Sequence, residues 1–278
     1  MHQTMWPLLP MERTDRIERR ARHRLQKMAR LGHGAKGFVY LLVGGLAAAA
    51  AWSGGRAAGT EGALRTLAAG PFGTVLLGVL ALGLAAYSVW RLYSAVTGGE
   101  GEGTGERIAQ GVTAIVYGAL AIEAARLAIG AAGGGEGANH WTAVLMSQPF
   151  GSWLVGGAGI ALIGYAIYQF RRALNGPVGR ELDVSAMRER TREWTERLGR
   201  TGIGARAISI ALIGVFLVIA ALQSDPSEAR GLGGALRTLA EQPFGPWLLV
   251  AIAIGLAAYG VFQILKAVFP PVTLRRAT

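Results

Sequence analysis

Long apolar runs, separated by short polar and glycine-rich segments, dominate the pattern of this chain. A bilayer core of about 30 Å is crossed by about 20 apolar residues in a helix, and a helix satisfies its own backbone hydrogen bonds in lipid. The pattern therefore predicts an all-α integral membrane protein with six transmembrane helices; a soluble Gly/Ala-rich helical bundle is the alternative. The six runs occupy about 37–53, 73–97, 108–132, 151–174, 203–222 and 245–269.

The six runs form three units that repeat one pattern of residues. A Pro-Phe-Gly phrase opens the second run of each unit, and a tyrosine follows each proline sixteen residues later. We interpret the units as tandem helical hairpins at 28–98, 106–176 and 198–270. Because each hairpin leaves the membrane on the side where it entered, the three are parallel and predict a pseudo-threefold bundle. The repeated residues are Pro71, Phe72, Gly73, Tyr87, Pro149, Phe150, Gly151, Tyr165, Pro243, Phe244, Gly245 and Tyr259.

Four segments lie outside the hairpins. Two of them, the arm 1–27 and the segment 177–197, are basic, and their apolar residues recur with helical spacing. Such helices lie on a membrane surface or dock on a protein partner. The other two are a Gly/Glu linker at 99–105 and a basic tail at 271–278. The apolar positions are Ile17, Ala21, Leu25 and Met28 in the arm, and Met187, Thr191, Trp194 and Leu198 in the second segment.

The positive charge of the chain is distributed unevenly. Its net charge is +11, and most of its 28 Lys and Arg residues lie on the side of both termini. The positive-inside rule therefore predicts that both termini are cytoplasmic and that the protein spans the bacterial inner membrane several times. Arginines that flank transmembrane helices also attract anionic lipid headgroups, so we expect lipid contacts and no nucleic-acid partner.

The residue inventory narrows the possible chemistry. The chain has no cysteine, which excludes disulfides, thiolate catalysis and thiolate metal sites. None of the four histidines is expected at mid-membrane, so haem between helices is not supported. No cofactor, metal site or catalytic site is predicted. The first ten residues lack the apolar stretch of a signal peptide, so we expect the first helix to remain in the mature protein.

Glu123 and Arg126 interrupt the third apolar run. Ionisable residues inside a span are costly and often functional, and a spacing of three residues places both on one helix face. We consider three interpretations of this candidate intramembrane polar site: a structural ion pair, a ligand or proton site, and an assembly contact.

The three repeated tyrosines form a second candidate set. Tyr87, Tyr165 and Tyr259 lie within the second helices, and Gln169 and Gln263 follow one turn later in two units. If the helices surround an axis, these side chains pack around it with an interhelical hydrogen bond. The alternative is a polar cavity for a small molecule or a lipid headgroup.

The Pro-Phe-Gly phrase itself predicts a helix start, because proline is favoured in a first helical turn, with phenylalanine as an anchor at the membrane interface. A ligand-contacting turn is the alternative.

A heptapeptide precedes the first and third Pro-Phe-Gly phrases. Gly62–Ala68 recurs identically as Gly234–Ala240, and its leucine spacing suits a short helix on the outer surface. We interpret the 42 glycines as small-residue contacts between helices.

Together these segments resemble a bacterial membrane family known as domain of unknown function 1206. The matching residues are Gly62–Ala68, Pro71–Gly73 and Gly83–Tyr87, with their counterparts Gly234–Ala240, Pro243–Gly245 and Gly255–Tyr259. The second unit departs from the pattern, because Ala143 stands where the arginine is expected. The resemblance implies tandem two-helix units, commonly three per chain, and it implies no activity.

The sequence therefore predicts a non-enzymatic membrane protein, an accessory or scaffold subunit that binds lipid or a membrane protein complex. A channel or transporter for a small solute is the alternative. A membrane enzyme is disfavoured, because no His/Asp/Glu cluster with catalytic or metal spacing is present.

Overall fold

The computed structural model of the chain describes residues 11–53, 59–97, 104–131, 138–176 and 189–269. Side chains are described from Lys27 onward, apart from those of 28, 104, 138–141 and 190. All regular structure in these ranges is helical. The α-helices are α1 (Met11–Ser53), α2 (Thr60–Ala68), α3 (Gly73–Thr97), α4 (Thr104–Ala128), α5 (Ala138–Met146), α6 (Gly151–Asn175), α7 (Glu189–Gln223), α8 (Leu232–Ala240) and α9 (Gly245–Val268).

Six of these helices are long and apolar enough to cross a membrane. They are α3, α4, α6 and α9, together with the apolar part of α1, Ala29–Ser53, and α7. A helix of 25 residues is about 37 Å long, which exceeds a hydrocarbon core of about 30 Å. The prediction of an all-helical chain with six long apolar helices is confirmed, and these helices suggest a multi-pass membrane protein.

Two of the long helices extend well beyond the apolar runs. α1 begins at Met11 and α7 at Glu189, so each continues into a basic segment. The side chains of the predicted apolar face in the arm, Ile17 to Met28, lie outside those described, as does Met187. In α7, Trp194 is exposed while Thr195 is buried, so the face that packs lies one residue further along.

Three short helices connect the long ones at one end of the bundle. α2 and α8 coincide with the duplicated heptapeptide, and each buries an alanine and a leucine: Ala63 and Leu64, Ala235 and Leu236. α2 contacts α8, and α5 contacts the 3-10 turn Pro226–Glu228 that precedes α8. We call this end the short-helix end, and the opposite end, where α1 and α9 lead to the termini, the termini end.

Each Pro-Phe-Gly phrase forms a tight turn from a short helix into the next long helix. In the second repeat, the Gly151 N–H donates to the Gln148 carbonyl at 2.9 Å, and Phe150 has a φ of 62°. Phe72 and Phe244 have φ values of 62° and 61°. The proline thus occupies a turn before the helix, and the helix starts at the glycine, whereas the sequence predicted proline in the first helical turn. The phenylalanine side chains are exposed, as an interface anchor requires.

The long helices pack most closely between repeats. The second helix of each repeat lies against the first helix of another: α3 on α4, α6 on α7 and α9 on α1. Within the first and third repeats, α1 also packs on α3 and α7 on α9. In the second repeat, α4 and α6 hardly touch each other. The ring of six helices is therefore open between α4 and α6.

Candidate functional site: a basic and aromatic cluster

The centre of the bundle contains a lysine surrounded by tyrosine rings. Lys36 Nζ lies 5.0 Å from the ring centroids of Tyr87 and Tyr117 and 5.3 Å from that of Tyr259. It also donates to the Tyr87 hydroxyl at 3.2 Å. All four side chains are buried. Since the tyrosines come from three different repeats, this ammonium group sits where the repeats meet and is stabilised by cation–π attraction.

Two arginines flank the lysine. Arg91 Nε donates to the Tyr87 hydroxyl at 3.1 Å, and its guanidinium lies 4.7 Å from the centroid of Trp90. Arg206 Nε donates to the hydroxyl of Tyr40, in another repeat, at 3.2 Å. Both arginines lie among the helices and are half-buried.

A histidine and a glutamine complete what we call the basic–aromatic cluster. Gln263 Nε2 donates to the Tyr259 hydroxyl, so its amide oxygen accepts from His33 Nδ1 at 3.0 Å. The His33 ring packs edge-on against Tyr87 and Trp90. The cluster consists of His33, Lys36, Tyr40, Tyr87, Trp90, Arg91, Tyr117, Arg206, Tyr259 and Gln263.

The cluster lies toward the termini end. Arg91 is six residues from the end of α3, which corresponds to about 9 Å along the helix. Lys36 is seven residues from the start of the apolar part of α1, or about 10 Å. Both cations therefore lie in the half of the bundle next to the termini end.

No carboxylate pairs with either arginine of the cluster in the part of the chain that the structure describes. The ion pairs there, Arg192–Glu196 and Arg230–Glu228, lie elsewhere and are partly exposed. Each cluster arginine uses its Nε on a tyrosine hydroxyl, while a guanidinium has five N–H donors in a planar fork. The remaining donors suit an oxyanion with several acceptor oxygens.

The structure separates the predicted axial residues. Tyr87, Tyr259 and Gln263 belong to the cluster. Tyr165 is half-buried on α6, in the neighbourhood of both cluster arginines. Gln169 is buried on α6.

Sequence reasoning passed over the cations of the cluster. Lys36 and Arg206 occupy the same repeat position, two residues after a matched glycine, and Thr113 stands there in the second repeat. They and Arg91 were included among the basic residues that flank the helices, but the structure places their side chains between helices. The recurrence of a cation at one repeat position is the signal that identifies Lys36 and Arg206, and Arg91 has no such signal because Gln169 and Gln263 occupy its position in the other repeats.

Glu123 and Arg126 do not meet. Glu123 is half-buried and Arg126 exposed, and no ion pair joins them in the described structure. Both lie within the last two turns of α4, at the short-helix end and far from the cluster. The described residues also contain no group of three His, Asp or Glu side chains that could hold a metal ion.

Comparison with known proteins gives the family. The sequence model of the family described as Domain of Unknown Function (DUF1206) matches residues 31–98, 108–176 and 201–269. A Bacillus subtilis (strain 168) protein described as "Uncharacterized protein YxxB" is 37% identical over 264 residues, which cover 93% of this chain and 96% of the relative. No solved structure matches the chain. The three-unit repeat predicted from the sequence is thus confirmed, and the chain belongs to the DUF1206 family.

Proposed function

We propose that this protein is a non-enzymatic accessory or scaffold protein of the bacterial inner membrane whose basic–aromatic cluster binds the phosphate of an anionic phospholipid. One observation carries the proposal. Arg91 and Arg206 lie inside the bundle with tyrosine hydroxyls, and without a carboxylate, as their partners among the described residues.

The energetics favour an anionic ligand at this position. A charge removed from water is costly unless it is paired and hydrogen-bonded, and ionisable residues within a span are rare and usually functional. A tyrosine hydroxyl accepts one hydrogen bond from each arginine but carries no compensating charge. A phosphate supplies both the charge and the oxygens that a guanidinium fork binds in pairs.

The depth of the cluster favours a lipid over a solute from the aqueous phase. Basic pockets between transmembrane helices on the cytoplasmic side are known binding sites for anionic headgroups. Arg91 lies about 9 Å from its helix end, in the half of the span next to the termini end, where a lipid of that leaflet carries its phosphate.

This proposal includes the orientation and the hairpin arrangement. The three units are parallel hairpins around a pseudo-threefold axis, and both termini are cytoplasmic, which is supported by the basic residues that flank the termini end. A membrane-impermeant thiol reagent should fail to label a single cysteine placed at position 278 in right-side-out vesicles and should label one at Trp52. The opposite labelling would reverse the orientation.

A channel or transporter is the second function considered from the sequence. The cluster fills the centre of the bundle with tyrosine, tryptophan and basic side chains that contact one another, which argues against an open axial path. Solute flux into proteoliposomes that depends on Arg91 and Arg206 would support transport instead, if the purified protein carries no bound phospholipid.

The test is to identify what remains bound after purification in mild detergent. Native mass spectrometry of the wild-type protein should detect a retained anionic phospholipid. The double variant Arg91→Gln/Arg206→Gln should retain it about tenfold less or worse, because hydrogen bonds to charged groups are lost. The control Arg65→Gln/Arg237→Gln removes the same charge from exposed positions at the short-helix end and should retain the lipid. Wild-type protein free of phospholipid, or equal retention by both double variants, contradicts the proposal.

A further inference from the structure

We infer that the phospholipid reaches the cluster sideways, through the cleft between α4 and α6, and that its acyl chains lie along these two helices. This inference rests on the proposed function and adds the route, the lining residues and the reason that the second repeat differs from the others.

In the first and third repeats, the two long helices approach each other closely because a glycine of the second helix packs against an alanine of the first. A Cβ added at Gly83 of α3 would lie 2.5 Å from the Ala35 Cβ of α1. A Cβ at Gly255 of α9 would collide in the same way with Ala205 of α7. A second glycine on the first helix meets the repeat tyrosine, Gly202 against Tyr259 in the third repeat. These contacts leave no room for a single additional methyl group.

The second repeat has larger residues at each of these positions. Counting from the matched glycines and tyrosines, Ala109 replaces the glycine that meets the tyrosine, Val112 replaces the alanine, and Ala161 replaces the glycine on the second helix. Real Cβ atoms do not approach as closely as the neighbouring repeats require, so α4 and α6 cannot pack as their counterparts do. The cleft is therefore encoded at three positions of the sequence.

The exposure of equivalent side chains agrees with this comparison. Val39 on α1 is 1% exposed, whereas the corresponding Val116 on α4 is 50% exposed. Val112 is 49% exposed, while the corresponding Ala205 is buried. In α6, 22% of the span is buried, against 56% in α9. The cleft thus presents an apolar wall that no other element of the described chain covers.

Residues on both walls of the cleft, α4 and α6, lie next to the cluster. On α4, Tyr117 packs edge-on against Tyr87, with ring centroids 4.8 Å apart. On α6, Tyr165 lies in the neighbourhood of Arg91 and Arg206, and a Cβ added at Gly204, two residues before Arg206, would lie 3.9 Å from the Phe170 ring. A molecule in the cleft would therefore have apolar walls along most of its length and two arginines at its inner edge.

These two properties select one kind of occupant. An anionic phospholipid carries a phosphate that complements the arginines and acyl chains that suit the valine-lined wall. Neither a free anion nor an uncharged apolar helix satisfies both parts of the site.

The experiment replaces three residues of the second repeat with those at the equivalent positions of the first and third repeats. The triple variant Ala109→Gly/Val112→Ala/Ala161→Gly should let α4 and α6 close, as small residues allow in membranes. Retained phosphatidylglycerol, measured by native mass spectrometry after incubation with phosphatidylglycerol vesicles, should fall about tenfold or more relative to wild type. The control Val79→Ala/Leu82→Ala removes more apolar volume from exposed positions of α3, outside the cleft, and should retain the lipid. Circular dichroism verifies that both variants keep their helices.

The outcomes separate the inference from the proposed function. If the triple variant keeps its lipid while Arg91→Gln/Arg206→Gln loses it, the cluster binds lipid but the cleft is not the route. If both keep it, the proposed function fails as well. Displacement of the lipid by millimolar inorganic phosphate would identify a free anion as the ligand. A protein retained at fixed stoichiometry, in place of phospholipid, would identify the cleft as a protein-docking site. Either result overturns the inference.

Discussion

Three phenylalanines have a backbone conformation that ordinarily belongs to glycine. Phe72, Phe150 and Phe244 have φ values of 61–62°, in the left-handed region that costs about 1–2 kcal/mol for an L-residue with a Cβ. Each occupies the turn position that favours glycine in a type II turn, after a proline that fits the first central position. The following glycine is required as well, because a Cβ at Gly73 would lie 2.6 Å from the carbonyl oxygens of Leu67 and Ala68. The repeated Pro-Phe-Gly phrase therefore forms a strained turn that places an exposed phenylalanine ring before the second helix of each repeat.

The strain at this turn can be measured separately from the ring. Phe150→Ala removes the ring but keeps a Cβ in the left-handed region, whereas Phe150→Gly removes both. We expect the glycine variant to be more stable than the alanine variant by about 1 kcal/mol, the cost of that backbone region. Thermal unfolding of both proteins in one detergent provides the measurement. Equal stability of the two variants would show that the turn relaxes out of this conformation.

Two glycines of α3 offer a matched test of helix packing. A methyl group at Gly83 would collide with Ala35, whereas Gly78 has nothing within 4 Å of an added Cβ. We expect Gly83→Ala to destabilise the protein by about 1–3 kcal/mol through overpacking. Gly78→Ala should be neutral or slightly stabilising, because alanine is the better helix former. Similar melting temperatures for the two variants would contradict the close contact between α1 and α3.

At the scale of helices, the sequence predicts which segments are helical better than it predicts which helices pack against each other. The six apolar runs, the short outer helices at Gly62–Ala68 and Gly234–Ala240, and the three units all follow from periodicity and repetition. The helix partners do not, because apolar residues cover every side of a transmembrane helix and lipid is as apolar as a neighbouring helix. The small residues carry that information instead. Val112 and Ala161 are each larger than their counterparts Ala205 and Gly255, and this difference in the sequence indicates a wider second repeat.

The opening of the ring can be measured with spin labels. The chain has no native cysteine, and exposed isoleucines occupy equivalent positions on the first and second helices of two repeats. We expect the label pair at Ile115 and Ile160, across the cleft, to give a longer and broader distance distribution than the pair at Ile208 and Ile254. Pulsed electron paramagnetic resonance in lipid nanodiscs measures both. Superimposable distributions would show that α4 and α6 pack as α7 and α9 do.

At the scale of the whole molecule, the fold brings together cations that are far apart in the sequence. Lys36, Arg91 and Arg206 belong to three different helices of the first and third repeats, and tyrosines from all three repeats surround them. In the sequence each lies within two turns of the end of an apolar run, as the arginines that set topology do, and only the shared repeat position of Lys36 and Arg206 distinguishes those two. Only the packing of α1 on α3 and α9, and of α7 on α9, brings them together. The tyrosines and Gln263 of the candidate site were therefore predicted from the sequence, and its cations were not.

The central claim is that Arg91 and Arg206 bind a lipid phosphate, and solid-state NMR tests it most directly. Protein labelled with nitrogen-15 at arginine and reconstituted with phosphatidylglycerol should show dipolar coupling between guanidinium nitrogens and lipid phosphorus, since a direct N–H···O contact of about 2.7–2.9 Å keeps the two nuclei close. The strongest coupling, from a phosphate held at the cluster, should disappear in Arg91→Gln/Arg206→Gln and persist in Arg65→Gln/Arg237→Gln, whereas the arginines that flank the helices contribute only weaker coupling to mobile headgroups. Absence of the coupling in the wild-type protein, or its survival in the Arg91→Gln/Arg206→Gln protein, would contradict the account.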